Sequence, residues 1–221
     1  MKLNELNIRL KFKNIIFDMD GTLLDSSNGV LNSLRQVFID NNVVIKKTIS
    51  KKIIGPPLRE TIVQLTEIID EKKLDHLVDC FKCEYDSEGY KDTTIFKDID
   101  VMISSLYERG INLYIATNKR QNPTKKIINM LDLGHFFTGI YSIDSFGSGV
   151  ETKGELLAHL VQIFNLEDCI YIGDHIDDFH AANYAKLEYM MVDWGFGTFI
   201  NEFNWELVLT PKELVHNLGK K

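Results

Sequence analysis

Cysteine is scarce in this sequence, with three among 221 residues. That excludes a disulfide framework and fits a reducing, cytoplasmic setting. No apolar run approaches the roughly 18 residues of a membrane span, so no membrane partner is expected. The opening stretch, MKLNELNIRLKFKN, is too interrupted by charge for a secretory signal. Positive charge is in deficit, 25 Lys and Arg against 32 Asp and Glu, for a formal charge of −7. Binding to nucleic acid needs many phosphate contacts from a basic surface, and none is offered. Internal repeats and low-complexity segments are missing too. What remains is an ordinary globular composition, 44% apolar and 26% charged. It suits one large domain, or a domain carrying a smaller insert.

Three apolar runs stop abruptly at polar residues. Asn14 to Phe17 ends at Asp18, Ile111 to Ala116 at Thr117-Asn118, and Cys169 to Ile172 at Gly173-Asp174. Such runs suit strands of a parallel sheet covered on both faces. Ile140 to Ile143 and Tyr189 to Val192 are weaker strand candidates. Helical spacing links Leu31, Leu34 and Phe38, then Ile99, Met102, Ile103 and Leu106 before a stop at Gly110, then Leu156, Leu157, Leu160, Val161 and Phe164. Asn122-Pro123 reads as a cap followed by proline at the first helical position. Alternation of strand and helix from residue 96 onward predicts a doubly wound, Rossmann-like parallel α/β sheet. Residues 26–92 show helical repeats (Leu74, Leu77, Val78, Phe81, Tyr85) and no convincing strand. They are expected to form an all-helical domain inserted into an α/β core of residues 1–25 and 93–221.

Ligands of an open parallel sheet bind outside the carboxyl ends of its strands. Asp18 with Asp20, Thr117 with Asn118, Lys153, and Asp174 with Asp177 and Asp178 should converge there. Clustered carboxylates suit Mg²⁺, a hard cation that also takes phosphate and water as ligands. Lysine and threonine beside them can hold phosphoryl oxygens as charge redistributes.

The stretch Asp18-Met19-Asp20-Gly21-Thr22-Leu23-Leu24-Asp25-Ser26 resembles the first motif of the haloacid dehalogenase-like hydrolases. Thr117-Asn118, Lys153, and Gly173-Asp174 with Asp178 resemble the second, third and fourth, in the family's order. Gly55-Pro56-Pro57-Leu58-Arg59-Glu60 and Trp194-Gly195-Phe196-Gly197 look like the phosphoglycolate phosphatase-like branch, with its helical cap. The resemblance implies that Asp18 attacks phosphorus and Asp20 acts as general acid, then base. Gly21 permits the tight turn that brings backbone amides to the phosphate, together with Thr117, Asn118 and Lys153. Mg²⁺ would be held by the Asp18 carboxylate, the Asp20 main-chain carbonyl and Asp174. Asp178 would bind metal-coordinated water or orient Lys153, a role Asp177 could share. A halide leaves unprotonated, so the second acid favours a phosphatase over a dehalogenase.

The expected activity is hydrolysis of a small phosphorylated metabolite, phosphoglycolate first, by a monomer or weak homodimer. Alternatives are a sugar phosphomutase, a nucleotidase or pyrophosphatase and, outside enzymes, a phospho-receiver or a silent binding protein. Arg59 could read a substrate carboxylate through its planar guanidinium. His175 reads as a polar loop residue, and Trp194 and Phe196 as packing groups. Cys80-Phe81-Lys82-Cys83 has CxxC spacing, but it lies inside a helical pattern with only His76 as a near neighbour. It reads as structural.

Overall fold

The computed structural model describes residues 11–147, 149–197 and 206–219. Most of the opening stretch, MKLNELNIRLKFKN, lies outside the described residues. The strands are β1 (Asn14–Phe17), β2 (Leu24–Asp25), β3 (Thr94–Ile95), β4 (Asn112–Thr117), β5 (Gly139–Ser142), β6 (Cys169–Gly173), β7 (Glu188–Val192) and β8 (Glu206–Val208). The helices are α1 (Ser27–Asp40), α2 (Leu58–Thr66), α3 (Glu71–Ser87), α4 (Ile99–Glu108), α5 (Gln121–Met130), α6 (Lys153–Phe164), α7 (Ile176–Tyr184) and α8 (Pro211–Asn217). The chain divides into two compact units, one of Asp25–Thr94 and one of the remainder.

In the larger unit six parallel strands form one sheet in the order β5-β4-β1-β6-β7-β8. The sequence order runs outward in both directions from β1. Such a switch point opens a crevice beyond the carboxyl ends of the central strands. All four residues of β1 are buried, as a central strand covered by helices requires. Ile15 lies between Leu113 of β4 and Ile170 of β6. On one face Leu156, Leu157 and Leu160 of α6 join Ile16, Tyr114 and Tyr171 in a single buried cluster. The smaller unit has its own core of Leu34, Phe38, Ile62, Leu65, Leu74 and Phe81 from α1, α2 and α3. No described helix is long and apolar enough to cross a membrane.

Two sequence expectations need correction. Helix α5 begins at Gln121 behind Arg120, so Pro123 stands third in the helix rather than first. The first turn tolerates it there, because those N–H groups have no intrahelical acceptor. The short strand β8 and helix α8 had no counterpart in the periodicity. Three residues of strand carry too little alternation to be seen.

Candidate active site

Asp18 follows β1 directly, and its backbone N–H donates to Ile172 O of β6 at 2.8 Å. The sheet register therefore holds the carboxyl at the switch point, where it is buried. Thr152 caps α6 and Glu155 reaches back to the cap, so Lys153 is the first helical residue. Its ammonium donates to Asp18 Oδ1 at 2.9 Å and to Asp178 Oδ1 at 2.6 Å. Asp178 is otherwise satisfied by the Tyr171 hydroxyl at 3.0 Å on the same oxygen and by His175 N–H at 3.0 Å on the other. Asp178 thus accepts from three donors, one of them the Lys153 ammonium.

Asp174, at the end of β6, is held by backbone. Phe196 N–H and Gly197 N–H donate to its Oδ2 at 2.7 and 3.1 Å, and Thr22 Oγ1 lies 3.3 Å from Oδ1. This close packing needs glycine. Gly21 adopts φ +89°, and a Cβ there would stand 2.3 Å from Asp174 Oδ2. A Cβ on Gly195 would meet the same oxygen at 2.3 Å and Gly21 O at 2.4 Å. Trp194 Nε1 donates to Thr22 O at 2.9 Å, tying the loop after β7 to the loop after β1. Trp194 and Phe196, read from the sequence as packing groups, thus also supply hydrogen bonds here.

One oxygen from each of Asp18, Asp174 and Asp178 lies within 4.8 Å of the others. Three buried carboxylates face one ammonium, so negative charge is in excess. Burial pushes the Asp18 carboxyl well up, with Asp178 and Asp174 adding to the rise against the opposing pull of Lys153. Burial and Asp178 likewise push Asp174 up to about 6, against its two amide donors. For Lys153 burial works against the charge, but Asp178 and Asp18 prevail and hold the ammonium above its usual range. A bound divalent cation would offset the excess and favour the ionised forms of Asp18 and Asp174. The donor set fits such an ion, all oxygens and close together.

Asp20 Oδ1 is buried and makes no hydrogen bond among the described residues, while Lys119 Nζ forms an ion pair with it at 3.3 Å. Sequence reasoning missed Lys119, though it follows Thr117-Asn118 directly. Thr117 is buried and its hydroxyl accepts from Lys119 N–H at 3.1 Å, whereas Asn118 is exposed. Asp177 is exposed and 3.2 Å from His175 Nδ1, so of the two adjacent acids only Asp178 joins the cluster. His175 caps α7, its ring accepting from Asp177 N–H. Arg59 lies in the smaller unit at the start of α2 and donates to Glu71 and to Asp75 on α3.

A family model described as haloacid dehalogenase-like hydrolase matches residues 15–192. A protein named 5'-nucleotidase from Pseudomonas aeruginosa is 30% identical over 195 residues, 86% of either chain. A protein named phosphoglycolate phosphatase from Aquifex aeolicus is 24% identical over 91% of this chain and 94% of its own. The tyrosine-protein kinase PtkA of Mycobacterium tuberculosis is 28% identical over 83% of this chain and 62% of its own. The chain thus spans less than two thirds of that relative's length. The solved PtkA structure has a TM-score of 0.80 at 25% identity, covering 95% of this chain and 99% of that one. With its motifs gathered at the switch point of the β5-β4-β1-β6-β7-β8 sheet, the chain belongs to the haloacid dehalogenase-like hydrolase family.

Proposed function

We propose that the chain is a Mg²⁺-dependent phosphatase that hydrolyses small phosphate monoesters through an aspartyl-phosphate on Asp18. The observation carrying this reading is the Asp18 carboxyl at the end of β1, bonded to Lys153 inside an acid-rich cluster. A carboxylate oxygen of Asp18 attacks phosphorus and the ester P–O bond breaks. Asp20 gives its proton to the departing oxygen, then takes one from the water that attacks the acyl phosphate. The second displacement breaks the bond to Asp18 and releases orthophosphate. Lys153 steadies the phosphoryl oxygens while keeping the nucleophile oriented. Asp18, Asp174 and the main-chain carbonyl of Asp20 would hold the Mg²⁺, which when bound neutralises charge between nucleophile and phosphoryl group.

Metal removal tests this directly. EDTA should stop phosphate release from p-nitrophenyl phosphate, Mg²⁺ should restore it, and Ca²⁺, with its longer and more numerous bonds, should inhibit. Full activity in EDTA, with no retained metal by elemental analysis, would overturn the assignment. A single stoichiometric phosphorylation without turnover would favour a phospho-receiver.

Phosphoglycolate is the proposed first substrate, ahead of nucleoside monophosphates, pyrophosphate and sugar phosphates. A sugar phosphomutase would instead return the phosphoryl group to a sugar, so product analysis separates the two. Glu71 and Asp75 already take two of the five Arg59 N–H donors and offset its charge, which weakens its pull on a glycolate carboxylate. We therefore expect R59A to change the ratio of kcat/KM between phosphoglycolate and p-nitrophenyl phosphate by no more than about fivefold. A loss of about ten- to a hundredfold confined to phosphoglycolate would make Arg59 the reader.

A further inference from the structure

Asp174 sits on a backbone turn, and one side chain that takes no part in phosphoryl transfer holds that turn from both sides. The turn joins Gly173, the last residue of β6, to His175, the cap of α7. The hydroxyl of Tyr189, on the neighbouring strand β7, lies 3.2 Å from Gly173 O and 3.2 Å from His175 O. Carbonyl oxygens only accept, so the phenol donates, its single proton shared between the two. His175 O also accepts from Asp178 N–H at 3.0 Å, which ties the same turn to the start of α7.

The sheet fixes where this hydroxyl falls. Tyr189 is the register partner of Tyr171, three positions before Asp174. Its ring stands 6.3 Å from that of Tyr171 and edge-on to Phe179 of α7 at 5.7 Å. Burial, with the charges of Asp178 and Asp174, pushes the phenol above its usual range, so it remains a donor at neutral pH. Phe196 and Gly197 hold the Asp174 carboxylate, whereas Tyr189 holds the backbone on either side of it. The first contacts fix Oδ2 and the second fix the Cα that carries the side chain. Mg²⁺ demands near-ideal octahedral geometry, so a ligand whose backbone can tilt binds it less well.

We propose that Tyr189 is a positioning residue for the divalent-cation site, acting through the backbone of Asp174 and touching neither ion nor substrate. The proposal rests on the reading of Asp174 as a Mg²⁺ ligand. The effect falls on cation affinity and not on the chemical step, because Asp18 is held by Lys153 and Asp20 by Lys119.

The test is calorimetric titration of Mg²⁺ into Y189F, beside the Mg²⁺ dependence of phosphate release from p-nitrophenyl phosphate. The control is Y114F, which removes a hydroxyl beside Phe164 in the core cluster that Tyr189 packs against. Y189F should bind Mg²⁺ about tenfold more weakly by both measurements, with kcat at saturating Mg²⁺ within about twofold of the parent. Y114F should keep the parental affinity. An affinity in Y189F within about twofold of the parent overturns the role. So does an equal weakening in Y114F, or a loss of kcat that saturating Mg²⁺ does not repair. A Y189F chain that fails to fold, by circular dichroism, overturns it as well, since the hydroxyl would then hold the fold and not the ligand. A parent that binds no Mg²⁺ and turns over fully in EDTA overturns the metal reading itself, a result distinct from all of these.

Discussion

The Asp18→Asn variant is expected to lose at least about 10⁴-fold in kcat on p-nitrophenyl phosphate while folding normally. An amide cannot form the acyl phosphate, so the first displacement has no nucleophile. The fold should tolerate the change for a local reason. A carboxamide oxygen can still accept from Lys153, preserving the buried contact now made at 2.9 Å. Removing one of three clustered acids also relieves the burial and repulsion that push the Asp18 carboxyl up. Thermal melting without metal should therefore show a midpoint equal to or above that of the parent. Turnover within about tenfold of the parent, in a folded variant, would remove the covalent mechanism.

Asp20→Asn should fail differently, losing on the order of 10² to 10⁴ in kcat because proton transfer is lost while the nucleophile remains. The aligned partners of Asp18, Asp174 and Asp178 do not include the Asp20 side chain, so Mg²⁺ affinity should persist. The size of the loss should depend on the leaving group. p-Nitrophenolate departs without a proton, whereas an alkoxide does not, so an alkyl phosphate should suffer more. Parallel kcat measurements on both esters decide the matter. An equal loss on both means that Asp20 is not the acid. In the structure the buried Oδ1 is paired with Lys119 at 3.3 Å without an aligned hydrogen bond.

Much of the site is legible in the amino-acid sequence because it is written locally. Each central strand is a short apolar run, and each chemical group follows at its carboxyl end, so position in sequence translates directly into position on the sheet. Lys153 at the start of α6 has the same character, since the Thr152–Glu155 box marks the first turn. Asp177 and Asp178 cannot be separated in this way. They are adjacent, equally acidic and both in the first turn of α7, and only the rotation of about 100° between them turns one to Lys153 and the other to solvent.

Other features depend on contacts that leave no trace in residue type. Phe196 and Gly197 reach Asp174 through backbone N–H groups, which every residue except proline carries. Arg59 could have faced any anion, and it pairs with Glu71 and Asp75 only because α2 and α3 pack together. The sequence by itself determined which segments form the central strands, which acids end them and to which family the chain belongs. Tertiary structure alone decided the strand order, the acid that holds Lys153 and the loop that locks Asp174. The physical reason is range: periodicity and turn chemistry act over a few residues, whereas these contacts join groups up to 172 positions apart, through register and close packing.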